Sequence, residues 1–159
     1  MKTAYELKIA NKKDAVRCIN LSKTSWPDWW SINEKAGKMH IRKCIEQKNA
    51  LVATKNLEVI AFLVWGTIWN KIHVQDIFVK EKYRKAGIGT KLMEFAIQTA
   101  RKEGFKEVVS DCDVSNKMAI SFHLNNGFKK CGYIKNNWDN EDSFVFSKKI
   151  GGRINSHIL

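Results

Sequence analysis

A short basic turn followed by two glycines is the segment of the sequence with the most specific chemistry. Residues 76–79 have strand character, Arg84 and Lys85 follow, and Gly87 and Gly89 open an amphipathic helical pattern. Glycines let a ligand approach the backbone closely, and the first N–H groups of a helix have no intrahelical partners. The helix dipole adds partial positive charge at the same end. Residues 84–90 therefore predict a pyrophosphate site, with both basic side chains pairing with further phosphate oxygens.

Two other phosphate-binding motifs do not fit this segment. A dinucleotide fingerprint needs G-x-G-x-x-G on the first strand of a βαβ unit, whereas Gly87 and Gly89 lie mid-chain after a β-meander and lack the third glycine. A Walker A loop needs G-x-x-x-x-G-K-[ST], which Gly89-Thr90-Lys91 does not supply. An ordinary glycine-containing turn is the remaining alternative, and the arginine before it and the helical register after it disfavour that interpretation.

Two motifs carry a resemblance to a known family. The segment Arg84-Lys85-Ala86-Gly87-Ile88-Gly89 resembles the R/Q-x-x-G-x-G/A signature of the GNAT superfamily of acetyltransferases. The segment from Asn116 to Phe128 is similar to the family's N-x-x-A-x-x-[FY]-[YH]…G-F helix. Together the motifs span residues 72–133. The resemblance implies an N-acetyltransferase that uses acetyl-CoA and transfers the acetyl group directly to a primary amine in a ternary complex.

The resemblance also implies roles for individual residues. Backbone N–H groups would bind the pyrophosphate, strand residues would pair with the pantetheine arm, and a backbone N–H near Phe78 would polarise the acetyl carbonyl. His123 stands where many members carry a tyrosine that protonates the departing thiolate, a modest task for imidazole. A structural hydrogen bond is the alternative for this histidine. The implied cofactor-binding residues are Ile77, Phe78, Val79, Arg84, Lys85, Ala86, Gly87, Ile88, Gly89, Thr90, Asn116, Phe122 and His123.

Three aspartates are candidates for the base that deprotonates the acceptor amine. Asp76, Asp111 and Asp113 lie at or just past the ends of the two strands expected to flank the acetyl group. Each could act directly or through water, and each could equally be a helix cap, a turn former or a surface charge. Strand alternation places Gln75 on the face opposite Asp76 unless a bulge intervenes.

The acceptor is less well specified by the sequence. Trp26-Pro27-Asp28, Ser110-Asp111 and His123 resemble aminoglycoside 6′-N-acetyltransferases, although Gln75 and Asp76 stand where that group often has Glu and Gly. A polycationic acceptor needs carboxylates and aromatic faces. A peptide or protein amine is the alternative acceptor, and core packing is the alternative role for the tryptophans. The candidate acceptor-binding residues are Trp26, Asp28, Trp29, Gln75, Asp76 and Trp138.

Hydrophobic periodicity and turn signals predict the element order β-α-α-β-β-β-α-β-α-β-β. Strands are expected over residues 5–10, 50–54, 58–69, 72–79, 107–111, 128–135 and 144–148. Helices are expected from Asn11 to residue 22, from a capping box at Ser31 to residue 47, from residue 88 to Gly104, and from Ser115 or Asn116 to residue 125. This order is similar to the α/β GNAT fold: a mixed, mostly antiparallel seven-stranded sheet flanked by about four helices. Residues 1–150 would form one domain, and residues 151–159 a tail.

Composition limits the remaining classes. The chain has 159 residues, four unclustered cysteines and a formal net charge of +12. The cysteine spacing favours reduced thiols in a cytoplasmic protein over a disulfide scaffold or a metal site, although Cys112 lies beside the expected acetyl site. The lysines are scattered rather than clustered, which disfavours a nucleic-acid partner. We expect neither a membrane span nor a secretory signal, because no apolar segment is long enough for the first and the start of the sequence has no apolar region for the second. A CoA-binding regulatory module is the alternative to an enzyme, and family members are commonly homodimers.

Overall fold

The computed structural model of the chain describes residues 4–151. Four helices are α1 (Ala15–Ser25), α2 (Pro27–Glu46), α3 (Ile88–Lys102) and α4 (Lys117–Asn125). Seven strands are β1 (Glu6–Ile9), β2 (Ala50–Lys55), β3 (Glu58–Ile68), β4 (Lys71–Val79), β5 (Glu107–Asp113), β6 (Lys129–Trp138) and β7 (Glu141–Lys149). They form one mixed sheet in the order β1-β2-β3-β4-β5-β7-β6, so the α/β fold expected from the sequence is confirmed. Apart from Gly151, the expected C-terminal tail lies outside the described residues.

The described chain forms two compact units, and residues 4–66 and 75–96 make up unit 1. In this unit β1 and β3 pair antiparallel with β2, while residues of α1 and α2 pack with those of β2 and β3 around Phe62 and Trp30. Asn11 caps a 3-10 turn (Lys12–Asp14) that leads directly into α1, whereas α1 itself begins at Ala15 without a side-chain cap. The Asn11 side chain accepts from the Lys13 N–H, and its own N–H donates to Asp14 at 2.9 Å, which completes a capping box.

The predicted start of the second helix was wrong. Helix α2 begins at Pro27, four residues before the expected cap, because a proline at the first helical position loses no hydrogen bond and has its φ already set. Ser31 does not cap; its hydroxyl donates to the Asp28 carbonyl at 2.7 Å inside the first turns. The local irregularity that resembles a helix start is a kink at Asn33, where φ is −114°.

Unit 2 comprises residues 67–74 and 97–151. Strand β5 pairs in parallel with β4 through Ile72–Val74 and antiparallel with β7, which in turn pairs with β6. The predicted cap of α4 is confirmed at Asn116, whose side chain accepts from the Ala119 N–H at 3.0 Å. The predicted stop is Gly127, with φ of +81°.

The loop expected over residues 136–143 was also wrong. Strand β6 continues to Trp138 and β7 begins at Glu141, so only Asp139 and Asn140 form the turn. Both have positive φ, 43° and 71°, as a tight two-residue hairpin requires. Residues 136–138 and 141–143 are polar apart from Trp138, so the sequence shows no alternation of apolar and polar residues at these two strand ends. No helix in the described part of the chain is long and apolar enough to cross a membrane.

Candidate active site

The glycine segment of unit 1 has the backbone geometry that the sequence predicted. Gly87 has φ of +79°, and a Cβ placed there would meet nothing within 4 Å. Helix α3 begins at Ile88, and a hydrogen bond from the Lys91 N–H to the Gly87 carbonyl, at 3.1 Å, follows at once. The N–H groups of the residues before Lys91 therefore precede the helical ladder. Open space over Gly87 and these free donors fit a pyrophosphate.

Basic side chains surround the same segment. Lys85 is exposed and has φ of +60°, so its backbone turns sharply just before Gly87. Arg84 uses Nε to donate to the Val79 carbonyl at 3.0 Å, which ties the turn to the end of β4. Lys82 lies over the ring of Tyr83, with Nζ 5.0 Å from the centroid. These cationic donors have the charge that recognition of an anion requires.

The strand end beside this loop, residues 77–79, lies beyond the part of β4 that pairs with β5. Among the described residues, β4 pairs with β5 only through Ile72–Val74, so the later part of β4 does not continue that ladder. Phe78 packs on the buried Phe62 with ring centroids 5.3 Å apart, which anchors this strand end to the core of unit 1.

Two adjacent residues of β4 both contact α2. Asp76 accepts a hydrogen bond from His40 Nε2 at 3.0 Å, and the Gln75 side-chain oxygen lies 3.8 Å from the Cys44 sulfur. Consecutive residues of a regular strand point to opposite faces, so β4 is irregular at this point. The hydrogen bond to Asp76 is the main cause that raises the pKa of His40 to about 10. At neutral pH the pair is therefore an imidazolium–carboxylate ion pair.

The tryptophans proposed to hold an acceptor pack mainly on one another and on the core. Trp26 and Trp29 stack with centroids 5.0 Å apart, and both lie against the hydrophobic cluster of unit 1. Trp30 is buried and donates from its indole to the Ser22 hydroxyl at 2.8 Å. Asp28 is exposed in the first turn of α2, where a carboxylate stabilises the helix dipole.

His123 of unit 2 is a buried residue. Only 2% of its surface is exposed, and its ring stacks on Phe146 with centroids 4.7 Å apart. Nδ1 lies 2.7 Å from the Ala119 carbonyl, which can only accept, so the proton is on Nδ1. Nε2 lies 2.8 Å from the Ser110 hydroxyl. Burial is the main cause that lowers the pKa of His123, which favours the neutral ring.

Asp111 is held by donors from three other residues of unit 2. One carboxylate oxygen accepts from His73 Nε2 at 2.8 Å. The other accepts from the Asn137 amide at 3.1 Å and from the Trp138 indole at 3.2 Å. Trp138, a predicted acceptor-binding residue, therefore contacts Asp111, a predicted base. It does so as a hydrogen-bond donor to that carboxylate. With both oxygens engaged, this carboxylate is a well-oriented anion rather than an open base.

Asp113 and Cys112 are also constrained. Asp113 accepts from the Ser115 N–H and hydroxyl at 2.6 and 2.5 Å, the contacts that chiefly lower the pKa of this carboxyl. It also hydrogen-bonds Glu141, which raises the pKa of Glu141 in turn. Burial, reinforced by the charges of Asp111 and Asp113, raises the pKa of Cys112 to about 11, so this cysteine is a protonated thiol at neutral pH.

Asp111 and His123 lie on opposite faces of β5. His123 contacts Ser110, whereas Asp111 is the next residue along the strand and its side chain points the other way. On the Asp111 side the structure adds His73, which sequence reasoning missed. A histidine in a strand has no motif, and its pairing with a carboxylate 38 positions away in the sequence becomes visible only in the β4–β5 register.

Comparisons of the sequence and of the structure with known proteins both find acetyltransferases. Residues 16–128 match the family described as Acetyltransferase (GNAT) family. An N-alpha-acetyltransferase of Sulfurisphaera tokodaii is 32% identical over 114 residues, which cover 62% of this chain and 68% of that protein. Ard1 from Thermoplasma volcanium has a TM-score of 0.82 at 18% identity, covering 92% of this chain and 98% of the other. PaiA N-acetyltransferase from Thermoplasma acidophilum, solved with coenzyme A, has a TM-score of 0.71 at 22% identity, covering 92% and 99%.

The family match includes the glycine segment and the whole of α4, the two places where the sequence resembled acetyltransferases. The protein therefore belongs to the GNAT acetyltransferase family, and it is an N-acetyltransferase whose cofactor is acetyl-CoA.

Proposed function

We propose that the enzyme transfers the acetyl group of acetyl-CoA directly to the α-amino group of a peptide, with both substrates bound at once. The observation that carries this choice of acceptor concerns contacts among the protein's own side chains. Among the residues that would hold a polycation, Asp76, Asp111 and the rings of Trp26, Trp29 and Trp138 are already engaged with other side chains of the protein. A peptide α-amine needs a single cation site and leaves those interactions in place.

The acceptor argument rests on four residues. Asp76 is neutralised by His40, and Asp111 is fully occupied by its hydrogen-bond donors, including Trp138. Trp26 stacks on a neighbouring tryptophan and packs against the core. The net charge of +12 also opposes long-range attraction of a polyamine. The similar protein of Sulfurisphaera tokodaii is named for α-amino acetylation, which supports the same choice.

Acetyl-CoA binding is proposed at the segment that the sequence singled out. Backbone N–H groups of residues 85–90 would bind the pyrophosphate, since the N–H of Arg84 donates to the Glu81 carbonyl at 3.1 Å. The side chains of Arg84 and Lys85 would add charge. Residues 77–79 would pair with the pantetheine arm, and an N–H near Phe78 would stabilise negative charge on the acetyl oxygen. Asn116 and Phe122 are also proposed to contact the cofactor. The cofactor supplies an activated thioester, and the chain supplies binding, orientation and proton removal.

His123 receives a structural role in this proposal. Its one proton is on Nδ1 and is already donated to a backbone carbonyl, so the neutral ring has no proton to give a thiolate. It joins α4 to β5 through Ser110.

A small polyamine or aminoglycoside is the second candidate acceptor. Asp28 at the start of α2, and Asp139 and Glu141 at the β6–β7 turn, are exposed carboxylates that a cationic small molecule could contact.

The test is a competition among amine classes. CoA-thiol release is followed with peptides bearing a free α-amine, with matched peptides whose α-amine is blocked but which contain lysine, with spermidine and with an aminoglycoside. Mass spectrometry then locates the acetyl group. We expect kcat/KM for free α-amine peptides to exceed the others by at least about tenfold, a difference of about 1.4 kcal/mol in transition-state binding. Preference for spermidine or the aminoglycoside would overturn the proposed acceptor.

A further inference from the structure

Strand β4 changes its facing pattern between Gln75 and Phe78. The Gln75 side-chain oxygen lies 3.8 Å from the sulfur of Cys44 in α2. Phe78 packs on Phe62 within the hydrophobic cluster that α1 and α2 share with β2 and β3. Both side chains therefore lie on the helix side of the sheet in unit 1, although they are three positions apart. A regular strand places residues at odd spacing on opposite faces, so an extra residue, a β-bulge, lies between them.

Two contacts hold the ends of this irregular segment. At one end Asp76 accepts from Nε2 of His40 at 3.0 Å. At the other end the Lys80 N–H donates to the Ile60 carbonyl of β3 at 2.8 Å. Residues 77–79, proposed to pair with the pantetheine arm, are enclosed between the two contacts. At about 3.3 Å per residue the enclosed segment is only about 10 Å long, so the direction of its N–H groups depends on where the bulge is held.

The His40 ring is engaged at both nitrogens. The hydrogen bond to Asp76 is the main cause that raises the pKa of His40 to about 10, so the ring is an imidazolium at neutral pH and the contact is charge-assisted. Nδ1 lies 3.9 Å from the sulfur of Cys44, one turn further along α2. Cys44 is buried and also contacts Gln75. One histidine and one cysteine of α2 therefore hold the two consecutive residues of β4 at which the bulge begins.

From this geometry we infer that His40 is a positioning residue for acetyl-CoA. Its contact with Asp76 holds the bulge of β4 against α2 and thereby orients the N–H groups of residues 77–79 towards the pantetheine arm. The inference rests on the proposed function, because it needs the pantetheine arm at residues 77–79, and it is independent of which amine is the acceptor. His40 is assigned no contact with the reacting atoms.

The test compares two substitutions of His40 that remove the same charge. The amide nitrogen of glutamine reaches the place of Nε2, whereas that of asparagine reaches only the place of Nδ1. His40→Gln can therefore still donate to Asp76, and His40→Asn cannot. Loss of one or two well-directed hydrogen bonds to the pantetheine arm should weaken acetyl-CoA binding by about tenfold in His40→Asn. His40→Gln should stay within about threefold of the wild type in the same calorimetric titration.

A second ligand separates positioning of the pantetheine arm from a general loss of structure. The nucleotide half of CoA, 3′-phospho-ADP, carries the pyrophosphate but no pantetheine, so its dissociation constant should stay at the wild-type value in His40→Asn. Lys43→Asn removes an exposed cation from the same helix and should leave the affinity for both ligands unchanged. Wild-type acetyl-CoA affinity in His40→Asn, equal weakening of both ligands, or equal weakening by asparagine and glutamine would overturn the inference.

Two further variants separate failure of this inference from failure of the proposed cofactor site. Asp76→Ala removes the same contact from the side of β4, so adding His40→Asn to it should weaken acetyl-CoA binding by less than about twofold more. Fully additive losses would contradict a shared role. If Gly89→Glu weakens neither acetyl-CoA nor 3′-phospho-ADP, the proposed placement of the cofactor fails. If Gly89→Glu weakens both ligands and His40→Asn weakens neither, only the role of His40 fails.

Discussion

At the scale of single residues, burial distinguishes His123 from His73. His123 occupies a motif position and is 2% exposed with both nitrogens engaged. His73 belongs to no motif, lies beside the carboxylate of Asp111 and has a side chain that is 25% exposed. A motif identifies a position along a helix, whereas the accessibility of a side chain becomes visible only in the folded chain.

The lowered pKa of His123 has a consequence for stability. Just below the ordinary histidine pKa of about 6.5, only the unfolded chain binds a proton at this ring, so protonation favours unfolding. The free energy of unfolding should therefore fall as pH drops below about 6.5, by up to about 1.4 kcal/mol per pH unit. His123→Phe keeps a stacked ring without a titrating group. It should have a shallower decline between about pH 6.5 and about pH 5, measured by urea unfolding.

His40→Gln is the control for that experiment. The pKa of His40 is raised to about 10. Its contribution to stability is therefore complete below the ordinary histidine pKa of about 6.5 and is lost only as pH rises through that range towards the raised pKa. The variant should keep the wild-type slope between about pH 5 and about pH 6.5. Identical slopes for wild type and His123→Phe would show that His123 is not the buried neutral group described here.

At the scale of elements, the glycine of α2 is set by packing against two tryptophans. A Cβ at Gly37 would lie 2.6 Å from Cη2 of Trp30 and 2.9 Å from Cζ3 of Trp29. Alanine normally stabilises a helix by up to about 1 kcal/mol relative to glycine. At this position the added methyl group would collide with the rigid tryptophan rings. Overpacking of this kind costs about 1–3 kcal/mol. Gly37→Ala should therefore lower the free energy of unfolding by about 1 kcal/mol or more in urea unfolding.

Gly132→Ala provides the comparison. Its Cβ would make an ordinary contact of 3.5 Å with Val145, so the change should stay within about 0.5 kcal/mol. A Gly37→Ala variant more stable than the wild type would contradict the described packing of α2.

Element types were predictable from the sequence, and several boundaries were not. Asn11, Asn116 and Gly127 are local signals whose effect depends on neighbouring backbone, and each ends or begins an element as expected. The predicted helix start at Ser31 was wrong because a proline four residues earlier is the stronger start signal. The loop predicted over residues 136–143 was wrong because these polar strand ends carry no apolar alternation. Their pairing depends on contacts with the other strand.

At the scale of the whole molecule, the two motifs predicted the family and the cofactor because both depend on short, contiguous segments. The acceptor contacts could not be predicted in the same way. His40 with Asp76 and His73 with Asp111 join residues that are 36 and 38 positions apart. Such pairs neutralise or orient candidate residues, and a single sequence carries no local sign of them. Location in the cytoplasm and assembly as a homodimer stay predictions.

Calorimetric titration of acetyl-CoA into Gly89→Glu tests the central claim most directly. Glutamate is compatible with the first turn of a helix but places bulk and negative charge where the pyrophosphate is proposed to bind. Gln98→Glu adds the same charge at an exposed position of the same helix α3 and serves as the matched control. The account predicts wild-type affinity for Gln98→Glu and at least about 100-fold weaker binding for a folded Gly89→Glu, because a charge-assisted anion site is removed. Wild-type affinity in both variants would contradict it.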